Sequence, residues 1–192
     1  MILTDLPKEV ETLLKQLNAP PRLIAHLQLV HDVSVHLVEV IRKEFPTLTF
    51  DIEAVKFGAA THDIGKVQYT TELTQPGNQH EEAGEKILKL AGYRQYLARF
   101  ATTHGGMSNH TAMTVEDLLV RTADTIWKGK RNHSSEMELV THISNTLQVP
   151  QWQVYLVLDE TLCEIAATAD LRLRWQFEHS TVSKLCTLIA QS

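Results

Sequence analysis

The sequence has little of what marks a secreted, membrane-spanning or nucleic-acid-binding protein. Its 192 residues include only two cysteines, Cys163 and Cys186, which indicate no disulfide framework. No apolar run approaches the ~18 residues that a bilayer requires, and a formal net charge of −5 argues against a general nucleic-acid binder. Residues 1–9 show neither a basic end nor a long apolar segment. We therefore expect a cytoplasmic protein without a nucleic-acid or membrane partner.

What is present is typical of one soluble globular domain. Hydrophobic residues make up 43% and charged residues 21% of a chain long enough to bury a core. Histidine is the outlier, with ten copies. Half of them open or interrupt a patterned apolar segment: His26, His31, His62, His80 and His104.

Apolar residues recur at steps of three and four through most of the chain, which predicts an all-α fold. We expect helices at residues 7–17, 21–44, 52–61, 79–90, 94–103, 114–127 and 135–147. Pro150 opens a longer helical stretch with an expected break near Ser180. Residues 65–78 and 105–112 are predicted to be loops, the first because it is polar and contains Pro76-Gly77. One domain is expected over 1–192, with a functional core at about 21–131 and a C-terminal helical extension at 135–192.

The dipeptide His62–Asp63 is the most informative feature of the chain. It directly follows the small, mostly apolar stretch 55–60, which is of a kind normally buried. Buried groups that can carry charge are costly unless they are compensated, and a metal ion is the simplest compensation. The side chains of neighbouring helical residues point about 100° apart around the helix axis, but at a helix end they can both coordinate one ion. The dipeptide therefore predicts a metal site at the end of helix 52–61.

Other residues of the chain could complete such a site. His26 and His31 lie on helix 21–44, His80 starts one helix, His104 ends another, and Asp124 sits in a strongly apolar helix. Taken singly, each has an ordinary explanation: a hydrogen-bonded core histidine, a surface residue, or for Asp124 an ion pair with Arg121 or Lys128. Taken in order along the chain, they form a pattern.

That pattern resembles the HD superfamily of metal-dependent phosphohydrolases. Arg22, His26, Val30 and Ser34 are similar to the first-histidine helix of the family, and the HDIGK run of residues 62–66 is similar to its signature in two-metal members. The segments 80–84 and 103–106 resemble the two further histidines of those members, and Ala123-Asp124 resembles the closing aspartate. The likeness covers roughly residues 21–131. Residues 103–131 are also similar to bacterial symmetrical diadenosine tetraphosphatases, which are two-iron members.

The resemblance implies an HD-type helical bundle that hydrolyses a phosphate ester or anhydride of a nucleotide-like substrate by attack of a metal-bound hydroxide. It implies two divalent ions, Fe or Mn, with Mg, Ni, Co or Zn as alternatives. Asp63 would bridge the ions and act with Lys66 in catalysis, and Lys66, Lys128 and Arg131 would contact the phosphate. The implied ligands are His26, His62, Asp63, His80, His104 and Asp124. A single ion would use His26, His62, Asp63 and Asp124.

Several alternatives stay open at this level. His26 is preferred as first ligand because Val30 and Ser34 follow it at the spacing of the family, with His31 as the alternative. Lys128, Lys130 and Arg131 could equally be solvated cations at a helix C-terminus. The function could instead be that of a di-iron oxygenase, a non-catalytic nucleotide-binding module or a structural bundle. The sequence specifies neither the substrate nor the oligomeric state.

Overall fold

The computed structural model describes residues 1–105 and 113–189, with side chains described up to residue 180. Within these residues the chain is helical and contains no strand, so the predicted all-α fold is confirmed. Two short 3₁₀ helices, Ile64–Val67 and Thr70–Leu73, lie between α3 and α4. The α-helices are α1 Lys8–Gln16, α2 Pro21–Glu44, α3 Ile52–Thr61, α4 Gln79–Leu90, α5 Gln95–Ala98, α6 Phe100–Thr103, α7 Val115–Ile126, α8 His133–Leu147, α9 Gln151–Ala167 and α10 Ala169–Ile189.

Helix α2 is the central element of the core. Helices α3, α7 and α10 pack along it, and α2 contributes residues to both hydrophobic clusters of the domain. Its buried residues Leu27, Val30, Val33, Leu37 and Ile41 follow the steps of three and four that predicted an amphipathic helix. Because α2 is held on several sides, the side chains that it directs inward have fixed positions.

The same helix is the one element among the described residues that is long and apolar enough to cross a membrane. Its most apolar window has a mean hydropathy of 1.2, and 56% of that window is buried inside the fold. The core helix of a soluble protein meets the same criteria of length and composition. The contacts of α2 with its neighbouring helices account for its apolar residues, and the expected lack of a membrane partner stays a prediction.

Three predicted elements differ from the structure. The predicted helix 94–103 is two short helices on either side of Arg99, whose guanidinium donates to Asp117 on α7 at 3.0 Å. The predicted helix 135–147 begins at His133, because the Asn132 side chain accepts from the Ser135 amide and so caps an earlier turn. The C-terminal helical stretch breaks at Thr168 and not near Ser180. Most of the predicted loop 105–112 lies outside the described residues.

The break at Thr168 lets α10 fold back onto α2, and a buried arginine holds that turn. Arg172 is only 6% exposed. Its Nε donates to the carbonyl of Trp127 at 2.5 Å, and its two terminal nitrogens donate to the carbonyl of Ile165 and to Thr168 Oγ1. Those carbonyls belong to the C-terminal ends of α7 and α9, where orphaned acceptors and the helix dipole favour a cation.

Gly129 makes this junction close. Its φ is +78°, a left-handed value that glycine adopts without strain. A Cβ built on it would lie 2.9 Å from the Cβ of Ala169, the first residue of α10. The end of α7 and the start of α10 therefore meet at a distance that a larger residue would not allow.

We expect Arg172→Met to lower the free energy of unfolding by about 2–4 kcal/mol, because it leaves two buried helix-end carbonyls without a charged donor. Urea denaturation followed by circular dichroism measures the change. Arg174→Met on the exposed side of α10 is the matched control and should shift the midpoint little. Equal effects of the two substitutions would contradict the assigned role of Arg172.

Candidate metal centre

Six side chains from five segments converge beside α2. His26 comes from α2, His62 and Asp63 end α3, His80 lies in the first turn of α4, His104 follows α6, and Asp124 lies in the last turn of α7. Side-chain caps fix where two of these helices start. Asp51 accepts from the Ala54 amide at the start of α3, and Thr114 and Asp117 form a capping box at the start of α7.

The first group of possible ligands consists of His26, His62 and Asp124. The two Nε2 atoms lie 3.2 Å apart, and each is 3.3 Å from Asp124 Oδ1. The His62 side chain is fully buried, whereas that of Asp124 is 28% exposed and opens toward the cleft. These three donor atoms come from side chains on different helices, and they lie close enough together to coordinate one ion.

The second group consists of Asp63, His80 and His104. Asp63 Oδ1 lies 3.1 Å from His80 Nε2 and 3.4 Å from His104 Nε2, and the two nitrogens are 3.4 Å apart. All three side chains are nearly buried, with 3–6% of their surface exposed.

The Asp63 carboxylate connects the two groups. While its Oδ1 faces the second group, its Oδ2 lies 3.0 Å from His26 Nε2 and 3.8 Å from His62 Nε2 in the first. A carboxylate with one oxygen on each side is the arrangement that could bridge two cations. The six side chains could thus hold two ions, each with nitrogen and oxygen donors.

The outer ring nitrogens of two histidines show which tautomer faces the centre. His62 Nδ1 lies 3.0 Å from the carbonyl of Ala59, and His104 Nδ1 lies 3.1 Å from the carbonyl of Phe100. Because a carbonyl can only accept, Nδ1 carries the hydrogen there. A neutral ring then presents the Nε2 lone pair to the centre. Converging lone pairs and carboxylates need a cation between them, so these residues fit a metal.

The electrostatics point the same way. Burial raises the pKa of a carboxyl, but the surrounding histidines hold the pKa values of Asp63 and Asp124 well below the usual range. Burial lowers the pKa of His26, yet hydrogen bonds and charge from Asp124 and Asp63 raise it to about 9. The centre therefore stabilises positive charge strongly at the position of His26.

Glu72 is a residue of this site that the sequence did not reveal. One of its oxygens lies 2.5 Å from His80 Nδ1 and accepts from the His80 amide, and the other accepts from the Gln79 amide. A carboxylate behind a ligating histidine fixes the orientation of the ring and raises its basicity. Glu72 lies eight residues before His80 in a polar stretch without periodicity, so no pattern indicated it.

A cleft of about 390 Å³ opens onto both groups, a size that suits a small-molecule ligand. Lys66 and Lys128 line it, and Lys66 Nζ donates to Asp63 Oδ2 at 2.5 Å. Gly77 and Asn78, which lie in the predicted loop 65–78, also line the cleft.

His31 does not join the cluster. It lies five positions after His26, and this separation turns it about 140° around α2. The His31 side chain is buried, and burial lowers its pKa, with Asp32, Lys56 and Glu53 as its charged neighbours. Its Nδ1 has no hydrogen-bond partner within the described part of the chain. The structure thus brings His26, and not the alternative His31, to the other candidate ligands.

The structure places Arg131 away from the cleft. Its guanidinium donates to Glu136 at 2.8 and 2.9 Å and to Asp159 at 2.8 Å. A left-handed turn at Gly129 separates the end of α7 from Arg131. Arg131 therefore joins α8 to α9, and its predicted contact with substrate stays a prediction.

A comparison with protein families matches residues 9–126 to the family described as HD domain, which is more than half of the chain. The match includes all six converging residues and ends just before Trp127. Neither the curated proteins nor the solved structures yield a significant match.

We expect His26→Ala to lower the metal content of the purified protein by at least one ion per chain. The substitution removes the His26 imidazole, which belongs to the first group and also lies beside Asp63 Oδ2. His31→Ala should leave the metal content unchanged while lowering thermal stability, since a buried side chain is lost. Elemental analysis after dialysis, with circular dichroism as the check on folding, distinguishes the two. Metal lost from His31→Ala and retained by His26→Ala would reverse the assignment.

We expect Glu72→Ala to weaken one metal-binding event by about 10- to 100-fold, because His80 loses the carboxylate that orients it. Glu72→Gln keeps an acceptor for the imidazole hydrogen, so its metal affinity should fall between those of Glu72→Ala and wild type. Calorimetric titration with Mn²⁺ measures the effect. Glu82→Gln, on the exposed side of α4, should titrate as wild type. A wild-type titration of Glu72→Ala would contradict a positioning role.

Proposed function

The chain belongs to the HD domain family, and from that premise we propose that it is a metal-dependent phosphohydrolase that cleaves a phosphate ester or anhydride of a nucleotide-like substrate. The observation that carries the proposal is the Asp63 carboxylate, with one oxygen toward each of two groups of histidines and carboxylate. Such a centre serves hydrolysis at phosphorus when it holds two cations side by side.

The proposed cofactors are two divalent ions, Fe or Mn, which imidazole and carboxylate ligands bind readily. His26, His62 and Asp124 would hold one ion, His80 and His104 the other, and Asp63 would bind both. When bound, the ions would lower the pKa of a water molecule and polarise the phosphoryl oxygens. The expected ligand set is complete, which disfavours a degenerate, non-catalytic module.

Lys66 is proposed to stabilise the charge on the phosphate. Its ammonium lies 2.5 Å from Asp63 Oδ2, at the edge of the cleft, and only 18% of the side chain is exposed. A lysine in this place can donate hydrogen bonds to phosphate oxygens, but it cannot act as a carboxylate base. Lys128 lines the same cleft, so an anion at the centre would lie near two cations.

The proposal extends to the kind of substrate only as far as the cleft supports it. The cations at the cleft favour a phosphate over the uncharged polyol that an oxygen-activating centre could also take. Dinucleotide polyphosphates, the substrates suggested by the resemblance of residues 103–131, belong in the first screen. A cytoplasmic location is the compartment that we propose for such an activity.

The experiment is a hydrolysis screen of the Mn²⁺-loaded protein under anaerobic conditions, with phosphomonoesters, phosphodiesters, nucleoside phosphates and dinucleotide polyphosphates. We expect phosphate or nucleotide release without oxygen, and loss of activity and of metal in His62→Ala. Lys66→Gln should keep its metal and lower kcat by about 10²–10³-fold, the usual effect of one transition-state donor. Lys56→Gln is the control, because Lys56 pairs with Glu53 outside the cleft.

A metal-loaded protein that cleaves none of these compounds would overturn the proposed function. Turnover that requires oxygen would instead indicate the di-iron oxygenase.

A further inference from the structure

A second cavity shares two candidate metal ligands with the first and is lined in part by a helix from outside the matched family region. It has a volume of about 350 Å³, and His26 and Asp63 line it. One wall carries Leu173 and Gln176, which lie on α10. The family match ends at residue 126, so this wall comes from the C-terminal extension.

The position of that wall is fixed by the structure around it. Arg172, the residue before Leu173, ties α10 to the carbonyl of Trp127, which lies three residues beyond Asp124. Trp127 itself lines the cavity, and its ring packs edge-on against His26 with 5.3 Å between ring centroids. The α10 wall and the metal centre are thus connected through one buried hydrogen bond and one ring contact.

Three cations, Arg22, Lys66 and Lys128, line the cavity. Within the described residues, Arg22 and Lys128 form no ion pair, and the Lys128 ammonium lies over the face of the Trp127 ring, 5.9 Å from its centroid. Free cations next to a phosphate-cleaving centre suit further phosphate groups of the same substrate.

The α10 wall itself is neither cationic nor purely apolar. Leu173 is 41% exposed and lines the cavity together with Leu73, while the side-chain amide of Gln176 has no hydrogen-bond partner among the described residues. An amide offers both a donor and an acceptor. An apolar side chain beside a free amide matches a flat heterocycle that carries hydrogen-bonding edges.

We propose that α10 selects the substrate: Leu173 packs against, and Gln176 hydrogen-bonds, the base of a nucleotide whose phosphates lie along Arg22, Lys66 and Lys128. This inference rests on the proposed function and specifies its substrate as a nucleoside phosphate with more than one phosphate group. Leu173 and Gln176 are specificity-determining residues in contact with the substrate, and Arg172 positions them.

The test compares two ligand types that share their phosphates and differ in the base. Non-hydrolysable methylene analogues of the four ribonucleoside triphosphates and of ribose 5-triphosphate, which lacks only the base, are titrated into the Mn²⁺-loaded protein by calorimetry. We expect wild type to bind at least one nucleotide analogue ten times or more tightly than the base-free analogue. Leu173→Ala and Gln176→Ala should each reduce that preference about five- to tenfold, with little change in affinity for the base-free analogue.

The matched controls lie on the same helix and do not line the cavity. Leu171→Ala removes an exposed leucine two residues before Leu173, and Arg174→Ala removes an exposed cation. Both should keep the preference of wild type. Because an unfolded fraction changes the stoichiometry of binding but not the ratio of two dissociation constants, poor folding of a variant would not imitate the expected result.

Absence of any preference in wild type, or a preference that survives in Leu173→Ala and Gln176→Ala, would overturn the inference even if the protein hydrolyses phosphates. The hydrolysis screen answers the separate question of function. If the protein hydrolyses base-free phosphates and α10 does not affect selectivity, the proposed phosphohydrolase function is retained and only the proposed substrate class is overturned.

Discussion

The structure depends on the buried carboxylate of Asp63. A charge that is 97% removed from solvent is costly, and here histidines from four segments and the ammonium of Lys66 surround it. Each of those partners must be delivered by a different element, so the paths of α2, α3, α4 and α6 are tied to one point. If a cation binds beside it, the same carboxylate would connect the helices that supply the ligands and so stabilise the fold.

The ends of the helices orient the candidate ligands toward Asp63. The last carbonyls of a helix have no partner inside the helix. In α3 and around α6, two of them, from Ala59 and Phe100, accept the Nδ1 hydrogens of His62 and His104. One contact therefore satisfies an orphaned acceptor, chooses the tautomer and turns Nε2 inward. His80 sits at the opposite kind of helix end, where backbone amides are free, and Glu72 satisfies two of these amides as well as the imidazole.

The parts of this architecture that depend on short-range pattern could be read from the sequence. The bounds of α2, α3 and α4 follow from periodicity, prolines and the Asp51 cap, and His26 on the inward face of α2 follows from the spacing of its apolar neighbours. The break at Thr168 could not be read, because neither glycine nor proline marks it and the packing of α10 on α2 imposes it. The contact between Arg131 and Asp159 could not be read for a similar reason, because the two residues lie 28 positions apart. Glu72 acts across eight residues of irregular chain.

The candidate ligands and the C-terminal helices have different roles in this domain, and the family match covers only the ligands. All six candidate ligands lie within residues 9–126, and α8 to α10 lie beyond them. Yet Arg172 binds the carbonyl that ends α7, the helix of Asp124, so the extension also holds the ligand helix in place. A segment that stabilises the centre and lines its second cavity can alter which substrate fits without altering a ligand. Substitutions in α10 would then change selectivity most where they leave Arg172 and its three contacts intact, because only there does the metal centre stay as it is.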